Sequence, residues 1–197
     1  MNYLGHAYLS FYHPSLCLGN LMNDFVRGKQ QYQYSPAIQQ GFALHRAIDI
    51  FTDEHASTKA AKALFTPVAG RYAGVMMDIV YDYFLANDTQ VFTTENSLEK
   101  LAEFTYQTLQ SNEPILPTTL QKMLPYMVKE NWLVNYQHTW GIQKSMQNIV
   151  RRASQLPSAE PSLQCMLQNQ AVLLPLYKTF IADVSAFVKQ YLQKEWH

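Results

Sequence analysis

Apolar residues recur along this chain every three or four positions, the period at which an α-helix brings side chains onto one face. The strict alternation expected of strands is scarce. The pattern predicts helices over residues 15–26, 36–53, 57–65, 68–86, 97–110, 119–136, 142–153 and 162–195. Ser35 and Pro36 supply an N-cap and a proline at the first helical position for the second of these. Pro175 removes a backbone donor from the last, where a bend is expected. The segment from Leu156 to Pro161 reads as a loop, and no repeat, low-complexity tract or charge run marks a linker. At 197 residues, the expectation is one compact all-α domain spanning 1–197.

Composition narrows the classes. Hydrophobic residues make up 48% of the chain, 13 Tyr and 10 Phe among them, which excludes disorder and calls for an aromatic-rich interior. The 15 basic and 15 acidic residues cancel, so the molecule lacks the net positive footprint of a nucleic-acid binder and any charge-based recognition must be local. Cys17 and Cys165 stand alone in apolar stretches, which supports no disulfide framework and points to a reducing cytoplasm. The opening residues lack the basic start and apolar block of a signal peptide, and no later run appears free of polar interruption over a membrane-spanning length. A soluble, cytoplasmic protein with no membrane or nucleic-acid partner is expected.

Charge set in apolar surroundings carries the chemistry. Between Gly74 and Ala86 the only charged residues are Asp78 and Asp82, four apart and therefore on one helical face. Carboxylates in such a setting point inward, where an unpaired charge costs several kcal/mol, so a cation must meet them. Arg46 or Arg71 in an ion-pair network is one answer; a metal ion is the other. On the helix after Pro36, His45, Asp49 and Asp53 repeat every four residues, with Arg46 three before Asp49 and suited to a salt bridge with it. Asp24, the first acidic residue of the chain, adds a carboxylate from a third segment, with Arg27 one turn on. Carboxylates and imidazole converging from several helices suit a hard divalent ion such as manganese or magnesium. His6 fits either that ion or a local turn, and a histidine such as His45, taken alone, is more often a satisfied core residue than a ligand.

The same residues resemble a known family. The runs from Met1 to His6, Gly19 to Gly28, Gly41 to Asp53 and Asp78 to Leu85, with a weaker one from Glu130 to Tyr136, are similar to those of the acyl carrier protein phosphodiesterases, cytoplasmic bacterial enzymes related to HD-type metal phosphohydrolases. The resemblance implies an all-α, HD-like architecture, a manganese-type metal and removal of 4′-phosphopantetheine from holo-acyl carrier protein. It makes Asp24, His45 and Asp78 the leading metal ligands and His6, Asp49 and Asp82 further candidates. Asp24, His45, Arg46 and Asp49 carry the catalytic expectation, with Arg46 or Arg27 as a cationic clamp on phosphate. Two positions depart from the family: Tyr8 and Tyr83 stand where histidines are common, so neither site offers an imidazole here. An acidic carrier partner would need a local basic surface, for which Lys29, Lys59, Lys62 and Arg71 are candidates. The rival readings are an HD-like phosphohydrolase of nucleotides or other small phosphodiesters, and a non-catalytic carrier-binding helical module.

Overall fold

A computed structural model describes residues 1–153 and 156–195. Among them there is no strand. Eleven α-helices run in the order α1 (Tyr3–Tyr8), α2 (Pro14–Met22), α3 (Pro36–Glu54), α4 (Ala56–Ala69), α5 (Ala73–Ala86), α6 (Ser97–Ser111), α7 (Thr118–Lys129), α8 (Trp132–Asn135), α9 (Thr139–Val150), α10 (Glu160–Gln168) and α11 (Gln170–Glu195), with short 3-10 turns between some of them.

The expected helices are present, and their boundaries differ for local reasons. Pro67 does not end α4; it sits in the last turn, and the break comes at Gly70, whose φ of +53° with ψ of −127° only glycine adopts without strain. The expected helix over 119–136 is two, separated at Asn131 in the left-handed region (φ 45°). The terminal helix is also two: the Asn169 side chain donates to the Cys165 carbonyl at 2.8 Å and closes α10, after which α11 continues through Pro175. α1, which the periodicity does not predict, is a six-residue helix.

α5 runs through the core, burying Met76, Met77 and Tyr81 completely. The Tyr81 ring stacks on Phe180 of α11 with centroids 4.6 Å apart. By length and composition α11 resembles a membrane-crossing helix, yet Leu173, Tyr177, Phe180, Val184 and Val188 on one of its faces are buried, with α11 packed on α4 and α3.

Among the described residues, α2 and α3 make the most extensive helix pairing. Two glycines permit it: a Cβ added to Gly19 would lie 2.1 Å from the Ile38 carbonyl oxygen and 2.7 Å from the Gly41 Cα. Because the obstructing atoms are backbone, Gly19→Ala must push the helices apart. We expect it to cost about 2–3 kcal/mol, as overpacking of a tight core does, and to lower the thermal midpoint by roughly 5–10 °C. An unchanged melting curve would mean that the two helices do not touch there.

A helix as short as α1 does not form alone. It is held from outside, since the backbone N–H groups of Leu4 and Gly5 donate to the Asp82 carboxylate at 2.8 and 3.1 Å. Asp82 is fully buried on α5, and burial pushes its carboxyl up to about 7, against the pull of the Met1 ammonium and the two backbone donors. The same ammonium donates to Asp78 at 3.1 Å. The expected inward carboxylates therefore exist, and what meets them is the opening segment of the chain. Arg46, one expected partner, instead donates to Asn23 at 3.2 Å.

Candidate metal centre and the adjoining cleft

Two imidazoles from helices remote in sequence lie one over the other. The rings of His6 on α1 and His45 on α3 stack with centroids 4.1 Å apart and planes within 10°. Both are almost wholly buried. One residue orients the pair: the Asn20 side-chain oxygen is 2.7 Å from His6 Nδ1, and the Asn20 backbone oxygen is 2.6 Å from His45 Nδ1. Asn20 is itself buried, with its amide donating to the His6 carbonyl at 2.8 Å and to Ser10 Oγ at 3.1 Å. An imidazole that donates from Nδ1 presents the lone pair of Nε2, the tautomer a metal requires.

Both Nε2 atoms face Asp49. The distances are 3.0 Å from His45 to Oδ2 and 3.4 Å from His6 to Oδ1. One donor atom from each of His6, His45 and Asp49 lies within 4.8 Å of the other two. Neighbouring ligands on one ion at about 2.1 Å stand about 3 Å apart in an octahedral shell, so this trio fits a divalent cation. Its two nitrogens and carboxylate suit manganese, zinc or a similar metal better than calcium.

Asp24 lies just outside the trio. Its exposed side chain reaches His45 Nε2 at 3.2 Å, and that hydrogen bond holds the Asp24 carboxyl below its ordinary value. Burial opposes ionisation of Asp49, but hydrogen bonds with His45 and His6 outweigh it and hold this carboxyl low as well. Burial lowers His6, assisted by repulsion from His45. His45 is also pushed down by burial, yet its hydrogen bonds with Asp24 and Asp49 prevail and raise it to about 9. In the metal-free protein His45 is the imidazolium partner of two carboxylates.

The expected residues thus separate into two places. Asp24, His45, Asp49 and His6 come together. Asp78 and Asp82 hold the start of the chain next to them and are not members of the trio. The expected Arg46–Asp49 bridge gives way to the histidine contacts of Asp49. Asn20 was passed over at the sequence level, although it is the one amide side chain between Leu16 and Met22, a run of otherwise apolar residues, cysteine and glycine.

Asp24 also lines a cleft of about 930 Å³ whose walls come from the α1 approach, α5, α7, α8 and α9. Tyr3 lines it too; burial and the charge of Asp24 push its phenol up to about 12, with Arg152 opposing. The cations on this cleft are Lys129, Lys144, Arg151 and Arg152. None of the expected Lys29, Lys59, Lys62 or Arg71 reaches it.

A family model described as acyl carrier protein phosphodiesterase matches residues 1–184. The chain belongs to the acyl carrier protein phosphodiesterase family. A protein of that name from Yersinia enterocolitica is 30% identical over 195 residues, covering 99% of this chain and 100% of its own length. Others of the same name are those of Serratia proteamaculans, 35% identical over 136 residues (69% of this chain, 70% of that one), and Klebsiella pneumoniae, 32% over 164 residues (83% and 85%). No solved structure matches the chain. The family match covers α1, α2, α3 and α5, the helices that bring the trio together and anchor it.

Proposed function

We propose that this protein is a metal-dependent phosphodiesterase that cleaves 4′-phosphopantetheine from the serine of holo-acyl carrier protein in the cytoplasm. One observation carries the reading: in a chain of this family, two Nδ1-anchored imidazoles and a carboxylate from α1 and α3 face one point, and Asp24, in contact with His45, lines an open cleft. His6, His45 and Asp49 would hold the ion, which we take to be manganese. When bound there it would lower the pKa of a water and neutralise charge on a phosphoryl oxygen. Asn20 keeps both rings in the ligating tautomer. Asp24, ionised and exposed at the cleft, takes the proton as water oxygen bonds to phosphorus; the phosphorus–oxygen bond to serine breaks, and Asp24 returns that proton to the departing serine oxygen, which leaves as a hydroxyl. Arg46 donates to Asn23 and is given no part in this scheme. An HD-type kinship accords with metal-binding residues spread over separate helices.

The test is incubation of holo-carrier protein with the enzyme and Mn²⁺, followed by mass spectrometry. Apo-carrier protein and free 4′-phosphopantetheine are expected. Turnover of nucleotides or small phosphodiesters with the carrier left intact would replace this reading by a general phosphohydrolase; carrier binding with no turnover under any divalent ion would reduce the protein to a binding module.

Metal affinity should depend on pH in a defined direction. Because the metal-free His45 is raised to about 9, an ion must displace its proton at any lower pH. Mn²⁺ affinity, measured by calorimetry, should rise about tenfold per pH unit from about 6.5 to about 9 and then level. The sign for folding is opposite. The raised His45 stabilises the metal-free fold fully below about 6.5, and this contribution is lost as the pH passes about 9.

A further inference from the structure

The cleft beside Asp24 is much larger than a phosphodiester needs. At about 930 Å³ it falls near the top of the range of roughly 300–1,000 Å³ typical of small-molecule sites. Asp24 belongs to both places, lining the cleft and touching His45, so a chain lying in the cleft can have its end at the metal centre. The walls alternate in character. Val75, Ile79, Met123 and Ile149 are apolar, while the Asn148 side chain makes no hydrogen bond among the described residues and offers both a donor and an acceptor. Large aromatic surface stands at the opening, where Tyr126 and Trp140 are 61% and 53% exposed.

Charge on the lining is lopsided in a chain whose total is zero. Glu130 is consumed by Lys144 at 2.6 Å and by the Trp132 indole N–H at 2.8 Å. That leaves Lys129, Arg151 and Arg152 against Asp24 alone. Arg152 lines the same cleft as Tyr3 and Asp24, and its charge opposes that of Asp24 on the Tyr3 phenol. A ligand matching this lining is a flexible, largely uncharged chain of amides and methylenes that ends in a phosphate.

Building on the proposed phosphodiesterase reading, we propose that this cleft is the binding site for the pantetheine arm. The arm's amide chain lies against Asn148 and the apolar walls, and its phosphate end lies between Arg152 and the metal centre. Trp132 and Trp140 on the lining then report occupancy directly.

The experiment uses the full chain stripped of metal with chelator, so that binding is read without catalysis. Titration with 4′-phosphopantetheine should give a saturable change in tryptophan emission. Pantetheine, which lacks the phosphate, should bind at least tenfold more weakly. Asn148→Phe fills the cleft from a half-buried position on α9; it should weaken 4′-phosphopantetheine at least tenfold and raise KM for holo-carrier protein at least tenfold. Arg152→Glu, an exposed change that keeps the wall intact, should weaken 4′-phosphopantetheine at least tenfold and leave pantetheine within twofold. Wild-type affinity in both variants, or AMP binding as tightly as 4′-phosphopantetheine, overturns the assignment. Failure of the underlying reading is distinct: the wild-type protein would then bind the arm yet leave holo-carrier protein uncleaved in the presence of Mn²⁺.

Discussion

His45→Ala is expected to lower hydrolysis of holo-carrier protein by at least about 10³-fold, beyond the roughly 10–100-fold that loss of an outer hydrogen-bond partner costs a metal site. His45 meets Asp49 at 3.0 Å and Asp24 at 3.2 Å through one nitrogen, so removing it takes away a ligand and the contact that ties Asp24 to the trio. The folding cost is smaller. A buried ring and its hydrogen bond to the Asn20 carbonyl are lost, leaving that carbonyl unsatisfied for about 1–3 kcal/mol. Against a typical total of about 5–15 kcal/mol the chain stays helical. Activity, bound manganese by elemental analysis and circular dichroism should be measured on one preparation. Full turnover with stoichiometric manganese in His45→Ala would end the metal-centre assignment.

Asp82→Ala should produce the largest loss of stability of any single carboxylate replacement. It orphans two buried backbone donors, those of Leu4 and Gly5, at about 1–3 kcal/mol each. A net loss of about 4 kcal/mol corresponds to roughly 10–15 °C in the thermal midpoint of a domain this size. Because α1 carries His6, the variant should also bind manganese weakly, although Asp82 holds backbone and not substrate. Asp82→Asn keeps one acceptor and should lose less. It should also flatten a pH dependence of the wild type: a carboxyl raised to about 7 contributes stability fully below its ordinary 3.8, and that contribution disappears as the pH rises through about 7. If Asp82→Ala melts like the wild type while losing its metal, Asp82 is a ligand and the anchoring role is wrong.

How much of this was legible in the residues depends on the distance over which the cause acts. The helices of α3 and α6 could be read because their apolar faces and the Ser35–Pro36 start are local. The division at Asn131 could not, since a left-handed residue there serves the packing of α8 and leaves no periodic trace. Asp24, His45 and Asp49 were readable as charge in an apolar setting, and His6 as one of two options. The inward direction of Asp78 and Asp82 was also readable, but their partners were not. Each meets residues about eighty positions away, through a backbone N–H or an ammonium that no side-chain pattern advertises. For the same reason the cations of the cleft, on α7, α9 and the segment after it, were not found by searching near the motifs in sequence.

Asn20 spans two rings with a single residue, the amide to His6 and the main chain to His45. Substitutions at the two histidines are therefore not independent experiments. Loss of either ring relaxes the strut that aligns the other, so a double-mutant cycle should show the paired change falling well short of the sum of the single ones. Apportioning catalysis between His6 and His45 from separate alanine variants would count that shared support twice.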